Sequence, residues 1–378
     1  MEKVQDNINR FLPFGESLRQ ILQHRDITKN DLKQLLRYKG VFFDDISDEK
    51  TFPFILSSLL SPSEFDFLKD KLSVREDREK TITRTLNWES DVSLIKSIPN
   101  DFNIQQIIKT TFPKYKVVGM PTFKMEDKNS DIISLEFKCE TENYSKTWFR
   151  AKSEFVGKIS LEKVTTKNNE VQLQIIHTSP ETTEISNKVV KHLEKHFKRE
   201  NYMNPNNLIE KIEFKDFTNE ERIYFFLAFT RGSDSLDFNK VLHIDIGPDS
   251  TENLPENIEW MELGKVKDLS INGDVIHEIP FIKDFEMRKY IELCEMDISF
   301  NFAFSNAEGN CRIKFGFPNY FSKRISSIEF VSDVTSINLK PEFKGVSKVQ
   351  VGRRIMKEFD KLKKINFDDV KSEFSVNS

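Results

Sequence analysis

The spacing of apolar residues changes along the chain, and the changes mark its elements. From residue 1 to about 85 the period is helical. Leu18, Ile21 and Leu22 in SLRQILQHR fall on one face. TKNDLKQLLRYKG reads as a second helix, with Thr28 as N-cap, Asp31 three residues on, and Gly40 where a left-handed C-cap belongs. After the loop VFFDDISDEK, the stretch TFPFILSSLLSPSEFDFLKDKL carries more helix, with Ser61 or Ser63 as a cap. SVREDREKTITRTL (74–86) is dense in charge and predicts a linker or a solvated helix. Helical spacing returns at FNIQQIIKTTF (102–112), so 86–115 is read as a helical linker.

From about 116 the period becomes two. PTFKM, IISLEFKCE, WFRAKSEF, GKISLEKV and EVQLQIIH predict an antiparallel meander with one dry and one wet face. A helix follows, with Thr178 and Glu181 as a capping box and Pro180 just inside its start. Ile185, Val189, Leu193 and Phe197 give it a buried stripe. Residues 201–280 are mixed. TNEERIYFFLAF starts on another capping box, Thr218 and Glu221, VLHIDIG is strand-like, and Asn272-Gly273 is a hairpin signal. FEMRKYIELCEM predicts a short helix.

The last hundred residues echo the middle. ISLEFKCETEN (133–143) aligns with ISFNFAFSNAEGN (298–310), and WFRAKSEF aligns loosely with RIKFGF. Each copy is followed by a helix stripe: Ile185/Val189/Leu193 in the first, Ile355/Phe359/Leu362 in the second. A duplicated, helix-backed β unit is expected. The predicted fold class is therefore α+β. A helical N-terminal domain (1–85) and the linker (86–115) lead to a β-meander plus helix (116–200). A mixed connector (201–280) and a second β-rich unit with a basic C-terminal helix (281–378) complete the chain.

Composition narrows the function. The chain has 378 residues, 38% hydrophobic and 31% charged, which fits a folded protein of more than one domain. No apolar run approaches a membrane span, and MEKVQDNINRFLPFGE lacks the basic flank and apolar stretch of a signal peptide, so a cytoplasmic protein is expected. Cys139, Cys294 and Cys311 are odd in number and far apart, which predicts reduced thiols. No two of the 12 glycines lie closer than seven positions, so G-x-G-x-x-G, the P-loop and G-x-S-x-G are all absent. No C-x-x-C occurs either. The formal charge of −4 requires any nucleic-acid role to rest on local patches.

One segment carries a resemblance. DLKQLLRYKGVFFDDISDEKTFPFILSSLL resembles SAP-like helix–extended-loop–helix modules, through Leu32 and Leu35, Gly40, a loop, then Lys50, Phe54, Ile55 and Leu59. The resemblance implies DNA binding. Two features depart from it: Pro53 falls near the start of the second helix, and Asp44, Asp45, Asp48 and Glu49 in the loop would repel phosphate.

Three constellations could carry chemistry. Glu136-Phe137-Lys138 matches the acid-x-Lys step of metal-dependent nucleases, with Glu126 or Asp127 as the first acid; Mg²⁺ and Lys138 would stabilise charge on phosphate. Against it, Ser134, Glu136, Lys138 and Glu140 alternate with apolar residues as on any half-wet strand, and the repeat puts Asn301 and Ala303 in place of the pair. His192 and His196 stand at i, i+4 after His177, but Leu193 replaces the glutamate of H-E-x-x-H, and no metal or cofactor is expected. His243 and Asp245 read as a solvated strand face. The third constellation is basic. Lys188, Lys191, Lys195, Lys198 and Arg199 lie on the first repeat's helix, and Lys348, Arg353, Arg354, Lys357, Lys361, Lys363 and Lys364 crowd the second's. These predict a surface for an anionic partner. The expected function is a non-enzymatic binding protein contacting DNA or RNA. The Lys-, Asn- and Ile-rich usage fits a subunit of a bacterial antiviral defence complex. A Mg²⁺ nuclease using Asp127, Glu136 and Lys138, and a protein-binding scaffold, are the alternatives.

Overall fold

The computed structural model describes residues 12, 14–23, 27–43, 47–68, 78–109, 115–142, 152–164, 169–249, 255, 269–273 and 280–375. The first helices are α1 (Glu16–Leu22), α2 (Lys29–Tyr38), α3 (Asp48–Ser57) and α4, over 62–68. Local chemistry explains their ends. Thr28 accepts from the Asp31 amide, and Asp31 accepts from the Thr28 amide at 2.9 Å. Gly40 follows α2 at φ 71°, a conformation that disfavours any side chain. Ser61, rather than Ser63, caps α4 by exchanging hydrogen bonds of 2.7 and 3.3 Å with Glu64. Pro53 lies within α3, not at its start. Leu18, Ile21, Leu32, Leu35, Ile55 and Leu68 close a core of their own. Asp44, Asp45 and the side chain of Asp48 lie outside the described residues.

From residue 78 the chain builds α+β structure around one sheet. β1 (Lys80–Asn87) leads through α5 (Leu94–Ser97) and α6 (Ile104–Ile107) to β2 (Tyr115–Val117), β3 (Lys124–Glu126), β4 (Asn129–Glu142), β5 (Lys152–Lys163) and β6 (Glu170–His177), then to helix α7 (Pro180–Arg199). The second half holds α8 (Asn219–Ala228), β7 (Leu236–Pro248), β8 (Leu269–Asn272), α9 (Pro280–Lys283) and α10 (Phe285–Arg288). It ends with β9 (Ile291–Phe304), β10 (Ala307–Gly316), α11 (Tyr320–Lys323), β11 (Val331–Leu339) and the long helix α12 (Lys348–Ser375). Among the described residues the strands form one sheet in the order β2-β4-β5-β6-β1-β11-β10-β9-β7-β8, with β3 beside β4.

Several expected boundaries move, each for a local reason. The charged stretch before residue 87 contains a strand, not a linker or helix. Thr81, Thr83 and Thr85 alternate with Ile82, Arg84 and Leu86, and Arg84 is buried because it is paired; residues 74–77 lie outside the described ones. The expected helical linker shrinks to the two single turns α5 and α6. The runs KSEF and GKISLEK belong to one strand, β5, while Trp148 to Ala151 lie outside the described residues. Only FEMR of the predicted helix FEMRKYIELCEM is helical. Ile291, Glu292, Leu293 and Cys294 begin β9 buried on both faces, so no period of two was visible there. β8 stops at Asn272 and pairs back onto β7; residues 274–279, the far arm of the hairpin expected there, lie outside the described residues. The cap of α7 is Ser179, not Thr178. Ser179 Oγ accepts from the Thr182 amide (3.2 Å), Thr182 Oγ1 accepts from the Ser179 amide (3.0 Å), and Thr178 donates instead to the Val156 carbonyl. The Thr218/Glu221 box forms as expected.

The two expected sheet units are wings of this one sheet, and their dry faces are opposite. In the first wing Ile82, Ile133, Leu135, Ile159, Leu173 and Ile175 pack against the α7 stripe of Ile185, Val189, Leu193 and Phe197. In the second, Ile298, Phe300, Ile313 and Phe315 pack against Ile355 and Phe359 of α12 and Phe225 and Phe229 around α8. Cross-strand partners share a side, so register fixes the relation. Phe315 pairs with Ser332, Ser332 with Thr81, and Thr81 points away from Ile82. Hence α7 and α12 lie on opposite faces. α12 also reaches over the wet face of the first wing, where Asp360 accepts from Gln174 of β6 (2.7 Å) and Lys357 pairs with Glu162 of β5 (2.8 Å). The segments aligned as a repeat lie on β4 and β9. Each pairs with the strand that follows it, and in each a phenylalanine faces a glycine: Phe137 opposite Gly157, Phe302 opposite Gly309.

Candidate functional site: a basic cleft across the seam

The wings meet where β1 pairs with β11, through Lys80 opposite Asp333 and Thr81 opposite Ser332. On the α7 side, register lines up one row of neighbours across this seam: His243, Asp297, Lys314, Asp333, Lys80, His177, Gly157 and Phe137. The row is apolar under α7 and becomes an alternation of acids and bases beyond it. Neighbouring contacts reinforce the polar part: Arg312 pairs with Asp297 at 2.6 Å, Lys314 pairs with Glu295, and His243 Nε2 lies 3.1 Å from an Asp245 carboxyl oxygen.

Where the row leaves α7, a cleft of about 1070 Å³ opens between α7 and the second wing. His177 and Lys80 lie along it, with Lys191 on α7, Lys323 at the end of α11, and the Arg84–Glu329 pair. Each acid on its wall is already engaged. Glu329 binds Arg84 and Lys211, Glu213 binds Lys215, Glu194 binds Lys198, and Glu210 binds Lys364. Asp216 accepts from the Glu213 amide. Lys80, Lys191 and Lys323 have no ion-pair partner among the described residues, so the cleft carries surplus positive charge.

His177 ends β6, two residues before the α7 cap, and only 9% of it is exposed. Its Nδ1 lies 2.8 Å from Thr183 Oγ1, and its Nε2 is buried without a partner. Burial, with Lys80 close by, pulls its pKa down to about 4, so the ring is neutral at physiological pH.

The two basic helices fare differently. On α7, Lys188 contacts Glu184 and the Tyr115 hydroxyl, Lys198 pairs with Glu194, and Arg199 reaches Glu200 and His196, while Lys191 and Lys195 are exposed without an acidic partner among the described residues. On α12 most cations serve the fold. Arg353 is forked by Glu79 (2.6 Å), Lys357 binds Glu162, Lys361 binds Glu358, and Lys364 binds Asp368. Lys363 is buried against Asp360 (2.6 Å). Arg354 lies over the Phe304 ring and donates to Asn306. Lys348 stands beside a groove under the start of α12.

The acid-x-Lys step has structural work of its own. Glu126 binds Lys158 at 2.5 Å, and Asp127 and Lys128 turn the chain between β3 and β4 at φ 50° and 58°. Glu136 faces Lys158 across the strands, on the side away from α7. Among the described residues no three His, Cys, Asp or Glu side chains are placed to hold a metal. His192 and His196 lie on the outer part of α7, and burial with repulsion from His196 lowers His192. The three cysteines are free and buried, and burial pushes Cys139 and Cys311 up to about 12 and Cys294 higher still. None supplies a thiolate. Sequence reasoning missed Lys80, Arg84, Lys323 and Glu329, which converge on the cleft from distant segments; only strand register could have linked them.

One family model matches the chain, the GAPS4b protein N-terminal domain, over residues 16–78. That is the helical module expected at this end, recognised here through a different family from the SAP-like one. No curated protein matches. Among solved structures, the crystal structure of the di-domain ARO/CYC BexL from the BE-7585A biosynthetic pathway aligns at 7% identity over 78% of this chain and 98% of that one, with a TM-score of 0.16. At that score it carries no argument about fold or function. No helix of the described residues is long and apolar enough to cross a membrane.

Proposed function

We propose that the protein is a non-enzymatic subunit of a bacterial antiviral defence complex that contacts nucleic acid, chiefly through α7. The match to the GAPS4b N-terminal domain supports the place in a defence system. The observation that carries the nucleic-acid reading is charge left unspent. Lys191 and Lys195 stand exposed on α7 with no acidic partner among the described residues, next to a cleft whose acids are all engaged. Such charge attracts phosphate and makes affinity salt-dependent. Of the candidate residues, Lys191 and Lys195 fit this role better than Lys188, Lys198 and Arg199, which pair with acids on α7 or just beyond it, and better than Arg353, Arg354, Lys357 and Lys361, which are mostly committed to contacts within the fold.

Fluorescence anisotropy with labelled DNA and RNA across a salt series tests the reading. Lys191→Glu with Lys195→Glu is expected to weaken binding and to reduce the salt slope by about one for each phosphate no longer neutralised. Unchanged affinity in that variant would sink the reading. Arg353→Glu is a poor substitute, because it sets a carboxylate against Glu79. A second reading, a protein contact, rests on the N-terminal module, where Phe14, Tyr38, Phe42 and Leu59 are all at least 60% exposed. Replacing Phe42 and Leu59 by Ser is expected to release a co-purifying partner if that reading is right.

A further inference from the structure

We propose that the seam cleft is a phosphate-binding site in which His177 donates the central hydrogen bond. A buried polar atom without a partner is costly and uncommon, and when it borders a cavity it marks where a ligand atom belongs. His177 lines the cleft, and its Nε2 is buried without a partner among the described residues. The contact with Thr183 allows it to be a donor. The Thr183 hydroxyl lies 2.8 Å from Nδ1 and 3.0 Å from the Ser179 carbonyl. When the hydroxyl donates to Nδ1, the ring proton resides on Nε2, and the neutral ring offers a donor to the cleft. An anion at Nε2 selects that tautomer.

The surroundings specify the anion. Lys80 is the cross-strand neighbour of His177, and Lys191 and Lys323 reach the cleft from α7 and α11. Ser179 and Pro180 at the start of α7 also line the space, although the Thr182 and Thr183 amides there are taken by Ser179. Three ammonium groups without an ion-pair partner among the described residues favour a compact, multiply charged oxyanion over a carboxylate. The volume of about 1070 Å³ also admits the body of a nucleotide. Phosphate could arrive as a free phosphomonoester or as part of a nucleic-acid backbone; the chemistry at His177 is the same. The site shares Lys191 with the reading above but does not depend on it, since it requires no macromolecule.

The test is nitrogen-15 NMR of histidine-labelled full-length protein at constant ionic strength, titrated in separate arms with inorganic phosphate, a nucleoside monophosphate and a short oligonucleotide. Saturable movement of the His177 Nε2–H signal in the phosphate or monophosphate arm supports the site. Movement with the oligonucleotide alone supports it with a backbone phosphate as its ligand. His177→Gln, and separately Lys80→Gln with Lys323→Gln, are expected to weaken the affinity by about tenfold each, and thermal melting checks that each variant folds. Thr183→Val should weaken binding while leaving the cations in place. A His177 signal that stays still in all three arms overturns the proposal, whatever the Lys191/Lys195 variant does to nucleic-acid affinity.

Discussion

Arg84 and Glu329 form a two-point fork that ties the wings together: Nε donates to Oε1 at 3.0 Å and Nη2 to Oε2 at 2.8 Å. Arg84 also donates to Asn187 on α7 at 2.6 Å, so one guanidinium joins a strand, a helix and the second wing. Removing one partner strands a buried charge, and Arg84→Met is expected to cost about 3–5 kcal/mol of stability in urea denaturation. Arg84→Met with Glu329→Leu should recover much of that loss. A double variant as unstable as the sum of the single ones would show that the fork is not what holds the seam.

The same pair gives a pH dependence. Burial raises the Glu329 carboxyl, but Arg84 and Lys211 outweigh it and hold the group below its ordinary value of 4.5. A carboxyl lowered in the folded state contributes stability that is present above 4.5 and is lost as pH falls through the folded value. Glu329→Gln should therefore be less stable than the parent at neutral pH and should lose less on acidification below about 4.5. Parallel stability curves for the two proteins through that range would contradict this.

Lys363 and Asp360 pair one helical turn apart inside α12, both almost fully buried, and Asp360 also accepts from Gln174. Asp360→Asn leaves the Lys363 ammonium without a counter-charge and is expected to destabilise by about 3–5 kcal/mol. Lys363→Met with Asp360→Leu should lie much closer to the parent. Thermal melts of the three variants decide the order.

The two phenylalanine–glycine pairs separate by what a methyl group would strike. A Cβ on Gly157 would come within 2.4 Å of the tip of the Phe137 ring, which is a side chain. A Cβ on Gly309 would come within 2.1 Å of the Asn338 carbonyl oxygen, which is backbone of β11. Gly157→Ala is expected to cost about 1–3 kcal/mol through overpacking. Gly309→Ala should cost more, since β10 and β11 must separate. Equal melting temperatures for the two variants would refute the distinction.

The cap of α7 offers a register test. Ser179→Ala removes an acceptor from the Thr182 amide and should cost about 1 kcal/mol. Thr178→Ala should cost less, because its hydroxyl serves only the Val156 carbonyl.

These residues also explain what could be read from the sequence. The α7 stripe was legible because Ile185, Val189, Leu193 and Phe197 repeat on one face with no competing pattern. β4 was legible through strict alternation. β1 was not, since Lys80 and Arg84 occupy the positions that alternation reserves for apolar residues, and Glu329, the acid that pairs with Arg84, lies 245 residues away. The start of β9 hid for the opposite reason, being apolar on both faces. Period two tells which residues share a side of a strand, but not which side of the sheet. The opposed faces of α7 and α12, and the cleft that depends on them, were therefore beyond the sequence pattern. The basic residues were found by type. Which of them are spent on ion pairs is a matter of tertiary neighbours, and it changed the emphasis from α12 to α7.

Only two residue pairs join β1 to β11, whereas β4 and β5 are matched from Ile132 to Glu142. Below the junction the two strands part, and the connecting segment lies between them. Thr85 and Glu210 exchange backbone hydrogen bonds of 3.0 and 2.8 Å, Phe214 donates to the Ile328 carbonyl, and Phe330 donates to the Ile212 carbonyl. The tether between the wings is thus also a wedge driven into the split below their junction. Its thickness gauges how widely the split stands open, and the cleft's mouth is measured by the same stretch of chain. Inserting or deleting a residue in 210–211 would reset that aperture and would also strain the seat of Phe214 in the second wing's core.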